Sequence, residues 1–307
     1  MKKIFFFFLL FISVAVNAQI DSTVQNKPIV YPNWTLYVPG ATHFYDNRIV
    51  EGIIFSGTTV GGITLGIIYD NKLKSNSSTP YYNFPLLLGI QAYNIDKCDW
   101  FQNRLELLKY RRPDFKYDPI KFNDLLKAPF QPKNVFTPIT GGLILVALAE
   151  LYFGRGSNQS YKDIDKIYVV DSYQNKNSAL AIYGATSIGA SFGGGIAEEY
   201  VFRNMFMPVW DYRYGQKKGV IYSSLLFGSM HFGNLLFSNK PDYKATLFQV
   251  GEASILGYFL GRDVQIREYN IGPAVAAHMW YDFTLMLGSF LVDPKNNYLG
   301  VNMKFRI

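Results

Sequence analysis

The run SALAIYGATSIGASFGGGIAEEYVFRNMFM, residues 178–207, decides how this chain folds. It carries no charge before Glu198. It is also long enough to cross a bilayer, which takes about 20 apolar residues in a helix. At its far end stand Glu198, Glu199 and Arg203. A charge inside a span costs about 2.5–3.5 kcal/mol on insertion scales, so such groups persist where they face a bundle interior and act there. The run therefore reads as a membrane helix with chemistry at one end.

Runs of the same kind follow at 219–237, 245–260 and 271–292. Short connections between long apolar runs imply antiparallel neighbouring helices. Upstream, 49–69 is a first span whose glycines would let another helix approach closely, and 139–153 is a shorter one. The stretch 84–90 follows Pro80 and is too brief to cross, so it is expected to be interfacial or re-entrant. The fold class expected is an all-α membrane protein, a polytopic bundle of about six transmembrane helices with that one short segment. Residues 1–18 are expected to be a signal peptide, 19–135 an N-terminal region with one span and a basic polar loop, 136–293 a helical core and 294–307 a tail. A short strand is expected at 167–170 within the polar loop 154–177. The tail, from Leu299 to Ile307, alternates with period two and would also suit a strand. The helical blocks contradict the barrel that such a strand would otherwise suggest.

Composition agrees with a membrane chain. Of the 307 residues 49% are hydrophobic and 17% charged, against about a quarter charged in ordinary soluble domains. The net charge of +7 comes largely from Lys and Arg between apolar blocks, which fits membrane orientation and anionic lipid headgroups better than nucleic acid. No DNA- or RNA-binding motif is present. Cys98 is the sole cysteine, so neither an intrachain disulfide nor a cysteine-rich metal site can form. Lys2 and Lys3, an apolar stretch over 4–16 and small residues at 16–18 form a secretory leader, with an uncleaved anchor as the alternative. Either way residue 19 is expected on the outer side. The first span then leads inward, and the basic loop 97–133, with its nine Lys or Arg, is cytoplasmic. Six crossings satisfy the positive-inside rule and place the Glu pair near the cytoplasmic face of the cell membrane, a bacterial inner membrane.

Three constellations lie in three separate apolar segments: Glu198-Glu199-Tyr200-Val201-Phe202-Arg203, Phe227-Gly228-Ser229-Met230-His231, and His278-Met279-Trp280-Tyr281-Asp282. The chain has three histidines, and two of them are here. Glu199 and Arg203 are four apart and can pair on one helix face. Phe227 with His231, and His278 with Asp282, have the same spacing. Carboxylates and imidazoles converging from facing helices suit water activation. A partly desolvated Glu serves as general base, a His steadies the water, and a second His faces the oxyanion of a tetrahedral intermediate. No nucleophile elbow and no cysteine-centred dyad accompany them.

These blocks, in this order, resemble the CPBP family of intramembrane proteases, which includes CAAX-processing Rce1-type enzymes and bacteriocin-processing, Abi-like proteins. The family pattern is EExxxR, FxxxH and HxxxN or a close variant. Here it reads Glu198-Glu199 with Arg203, Phe227 with His231, and His278 with Asp282, across roughly 178–292. The resemblance implies an all-helical membrane fold and a glutamate-dependent protease acting on a membrane-bound protein or peptide. Glu198 would activate water with His231 as partner, His278 and Asp282 would form the oxyanion site, and Glu199, Arg203 and Phe227 would be structural supports. Asp282 departs from the usual Asn: an amide donates hydrogen bonds directly, whereas a carboxyl donates only when protonated or acts by orienting His278.

Other readings stay open. Two His and a Glu could ligate zinc, although no HExxH helix is present and the Rce1-type reading needs no cofactor. A non-catalytic immunity or assembly protein of the same fold, or a transporter whose charges line a path, would carry similar residues. Gly193-Gly194-Gly195 reads as helix packing rather than a phosphate loop. His43 reads as a surface or interface residue.

Overall fold

The computed structural model describes residues 29–74, 84–153 except 116 and 119, 161–169, 172–233, 235 and 242–294. The expected leader and the period-two tail from Leu299 lie outside these. The long helices are α1 (Ile49–Lys74), α2 (Phe84–Arg111), α3 (Pro138–Phe153), α4 (Lys176–Glu199), α5 (Met207–Tyr214), α6 (Gln216–Met230), α7 (Tyr243–Ile266) and α8 (Gly272–Val292). Three stretches are long and apolar enough to cross a membrane, 49–68, 176–214 and 272–292, and α3 is a shorter apolar helix. This is an all-α helical membrane protein, as expected.

The stretch 84–90 is not a short interfacial or re-entrant segment. It forms the first turns of α2, a helix of 28 residues. Asp96, Lys97 and Asp99 interrupt the apolar pattern, yet the helix runs on because those charges are buried against partners from residues 29–48. α2 lies antiparallel on α1. A Cβ at Gly62 would stand 2.6 Å from the Pro85 carbonyl and 2.7 Å from the Gly89 nitrogen. Only glycine permits that approach, as its place in the first span suggested.

This return changes the connectivity. The segment following α2 meets the stretch beyond α4: Tyr117 bonds Asn204, between α4 and α5, and Arg112 Nε lies 3.3 Å from the hydroxyl of Tyr212 in α5. It therefore shares a face with the start of α1, where opposite faces were expected. Contacts along the remaining helices (Asn134 with Gly272, Leu151 with Gly288, Met279 with Gly195, Val220 with Gly261) make each described pass antiparallel to the one before. The order is α1, α2, α3, α4 with α5, α6, α7 and α8. On the shared face Tyr269, between α7 and α8, donates to Asp211 Oδ2 at 2.7 Å. Burial and that carboxylate push its phenol well above the usual range.

Residues 29–48 pack against α2 as a short 3₁₀ turn, Asn33–Leu36, and a short helix, Ala41–Tyr45. The strand expected at 167–170 is found as β1 (Lys166–Val169), antiparallel to β2 (Ser172–Asn175). The Asn175 side chain then caps α4 by accepting from the Ser178 amide at 2.9 Å, a common way to satisfy a first-turn donor. The centre of the bundle is α8, whose residues from Gly272 to Met279 are all buried. It packs against α3, α4, α7 and the segment Ala128–Val135. A residue on this helix is thus held from several sides, and His278 is one.

Candidate active site

The uncharged run of α4 delivers three glycines to the bundle centre. Gly193 lies against Gln91 of α2, and a Cβ there would come within 2.6 Å of it. Gly195 lies against the backbone of Met279 on α8, where a Cβ would come within 3.0 Å of its nitrogen. The triple glycine is thus a packing device, and it brings α2 and α8 onto α4 just before the Glu pair. After Glu199 the backbone takes up π-helical turns over Tyr200–Phe206, so 178–207 is not one regular helix. Such turns are rare and recur at functional sites.

The two glutamates have different surroundings. Glu199 is fully buried. Its Oε1 accepts from Arg203 Nη1 at 2.9 Å and stands 2.8 Å from His278 Nδ1. Arg203 is itself fully buried, with its guanidinium 4.3 Å above the Phe227 ring. Phe227 is a hub: its ring centre is 5.5 Å from that of His231 and 5.8 Å from that of His278, edge-to-face with both. Glu199, Arg203 and Phe227 thus form one buried assembly that fixes the angle of His278. Because Nδ1 donates to the ion-paired carboxylate, Nε2 is the ring nitrogen left to face the site.

Glu198, one residue earlier, points into a different space. Its side chain is 40% exposed and that of Asp282 33%. His278 Nε2 is 3.9 Å from Glu198 Oε2 and 3.5 Å from Asp282 Oδ2. His231 Nδ1 is 3.3 Å from the Phe227 carbonyl, and its ring meets the Phe227 ring edge-to-face at 5.5 Å between centres. Glu198, His278 and Asp282 therefore converge, with His231 at the rim where α6 ends. Asp282 faces His278 directly, which favours an orienting contact over an independent one. Among the described residues no group of three or more His, Cys, Asp or Glu is placed to hold a metal ion, and His278 Nδ1 is already committed to Glu199.

Reading the motifs alone misses several residues. Gln91 reaches the same space from α2. Tyr281, largely buried, donates to Glu150 Oε1 of α3 at 2.9 Å and lies 3.3 Å from Glu252 Oε1 of α7. Those lone carboxylates in apolar runs were as costly as Glu198, and that cost was the signal that could have found them. His43 is completely buried rather than at a surface, because Asp96, Asp99 and the stacked Phe55 ring line a polar slot for it.

Residues 181–284 match the family model described as Rce1-like, Type II CAAX prenyl endopeptidase Rce1-like. The matched stretch is about a third of the chain and contains Glu198, His231, His278 and Asp282. No curated protein and no solved structure matches the chain.

Proposed function

We propose that this chain is an intramembrane endopeptidase in which Glu198 activates water to hydrolyse a peptide bond of a membrane-associated protein or peptide. The observation that carries the reading is the division of labour between two adjacent glutamates. Glu199 is spent on Arg203 and His278, while Glu198 opens to the space that His278 and Asp282 share. The similarity of 181–284 to a family of CAAX prenyl endopeptidases supports the same chemistry.

The step follows from the groups present. Glu198 takes a proton from water as the water oxygen bonds to the scissile carbonyl carbon. The carbonyl π electrons move to oxygen and form an oxyanion. When the C–N bond breaks, the oxyanion returns its electrons to the carbonyl, and Glu198 gives the proton to the departing nitrogen. The products are an acid and an amine. His278, held by Glu199 and oriented by Asp282, faces the developing charge, and His231 steadies the water at the rim. General-base action of this kind contributes about 10²–10⁴-fold. The basic residues near the ends of α2, α5 and α7 gather on the face shared with the start of α1; by the positive-inside rule that face is cytoplasmic, which reverses the expected entry of α1 from the outer side.

The test uses purified protein in liposomes and internally quenched peptides with and without a farnesyl-cysteine. Wild type cleaves at least one of them. Glu198→Gln inserts and folds but loses cleavage by about 10²–10⁴-fold. Equal rates for the two proteins would remove the reading and leave a binding role.

A further inference from the structure

We propose that Gln91 of α2 is a catalytic residue of this site, donating an amide N–H to the oxyanion. The inference rests on the hydrolytic reading above and names a group outside the family-matched stretch. It starts from an imbalance of donors. Glu198, Glu199 and Asp282 bring carboxylates, which only accept when ionised. Arg203 is sealed away against Glu199 and the Phe227 ring. His278 Nδ1 is held by Glu199, and His231 Nδ1 lies on the Phe227 carbonyl. A charge developing on oxygen needs N–H or O–H groups already aimed at it, and the motif residues offer few.

Gln91 supplies what is missing. Gly194 marks the floor of the site: the point a Cβ would occupy there is 3.6 Å from Asp282 Oδ2, 3.9 Å from Gln91 Nε2 and 4.0 Å from Glu198 Oε1. Three polar atoms from three helices thus border one small space. The amide is held from behind, since its stem packs on Gly193 with no room for a side chain between. Its orientation is also set. With Nε2 toward the two carboxyls, the N–H₂ group borders the same space as the acceptors, while Oε1 is buried without a hydrogen-bond partner. The flipped amide would press its oxygen against two carboxylates and bury the N–H₂ group unsatisfied. A glutamine here does what an amide at position 282 would do, from the opposite helix. That explains how the site tolerates a carboxylate at Asp282.

The experiment measures peptide cleavage in liposomes by Gln91→Met, similar in length but without polar atoms, and by Gln91→Glu, similar in shape but without the N–H₂ donors. Removing one oxyanion donor lowers kcat by about 10²–10³-fold. Both variants should show that loss, with KM within a few-fold of wild type and unchanged thermal stability. Gln91→Ala repeats the test should either variant insert poorly. A phosphinic analogue of the peptide, which mimics the tetrahedral oxyanion, should lose affinity in step with kcat, and a mere packing role would not produce that correlation. Cleavage by Gln91→Met within threefold of wild type, or a loss confined to KM, overturns the proposal. Should Glu198→Gln be inactive and Gln91→Met active, only the role of Gln91 falls. Should Glu198→Gln cleave like wild type, the hydrolytic reading falls, and this proposal with it.

Discussion

Two buried charge clusters stand at different levels of the same bundle, and they are built on opposite plans. In the N-terminal cluster every charge is matched. Asp96 meets Lys97 at 2.6 Å, His43 at 3.1 Å and the Gly40 amide at 2.9 Å. Asp99 pairs with Arg48 and lies 3.5 Å from His43. Lys97 also donates to the carbonyls of Thr35 and Val38. This cluster ties residues 29–48 to α2. In the site around α8, Arg203 answers Glu199 alone, and Glu198 and Asp282 have no permanent cation beside them. A matched cluster holds helices together. An unmatched carboxylate, partly withdrawn from water, can take up a proton and is suited to chemistry.

The comparison breaks most sharply at Glu198. Glu198→Gln should lower cleavage by about 10²–10⁴-fold while changing the melting temperature little, because the one ionic contact of Glu198, to His278 at 3.9 Å, is long. Asp96→Ala should do the reverse. It strands Lys97 and His43 in a buried setting, and breaking such a pair costs about 3–5 kcal/mol. Less protein should survive heating in detergent, yet cleavage per folded molecule should stay within about twofold, since no step of the reaction runs through Asp96. If Asp96→Ala instead abolishes catalysis in protein that remains folded, the two clusters are one machine and the division is wrong.

Gly194→Ala sharpens the contrast from within the site. Its new methyl would meet Asp282, Gln91 and Glu198 at ordinary contact distances of 3.6–4.0 Å. Nothing has to move, and alanine favours a helix over glycine by about 1 kcal/mol. Stability should hold or rise slightly while cleavage falls about tenfold or more, since the methyl fills the space bordered by the reacting groups and misplaces what must sit there. Thermal melting and kcat measured on the same preparation check it.

How much of this was readable beforehand follows from the same difference. The site motifs were legible because each is local: Glu199 with Arg203, Phe227 with His231 and His278 with Asp282 lie four residues apart on single helices. The glycine run of α4 and the strand at 167–170 were legible for the same reason. The N-terminal half was not. Asp96, Lys97 and Asp99 look like the end of an apolar segment until Gly40, His43 and Arg48, some fifty residues away, arrive to pair with them. That pairing takes up the charges on which α2 continues past 90, so its length, the antiparallel return along α1 and the face taken by the segment after α2 were all hidden together. Gln91 was hidden likewise, since its meaning comes only from Gly193 and Gly194 on another helix.

The smallest effect belongs to Tyr281, and it tests whether a third, mixed type of cluster exists. One hydroxyl faces two carboxyls, Glu150 at 2.9 Å and Glu252 at 3.3 Å, and a phenol has a single proton to donate. It joins α3 and α7 to the helix that carries His278 and Asp282 without entering their space. Tyr281→Phe keeps the ring and removes only that donor, so stability should fall by about 1 kcal/mol and cleavage by no more than a few-fold. Glu150→Gln keeps an acceptor for the phenol and should come closer to wild type than Glu150→Leu. In a double-mutant cycle, Tyr281→Phe with Glu150→Leu should be non-additive, because both changes remove one shared contact. Strict additivity would mean that the contact contributes nothing and that α8 is held by apolar packing alone. A fall in cleavage comparable to that of Glu198→Gln would instead place Tyr281 among the reacting groups.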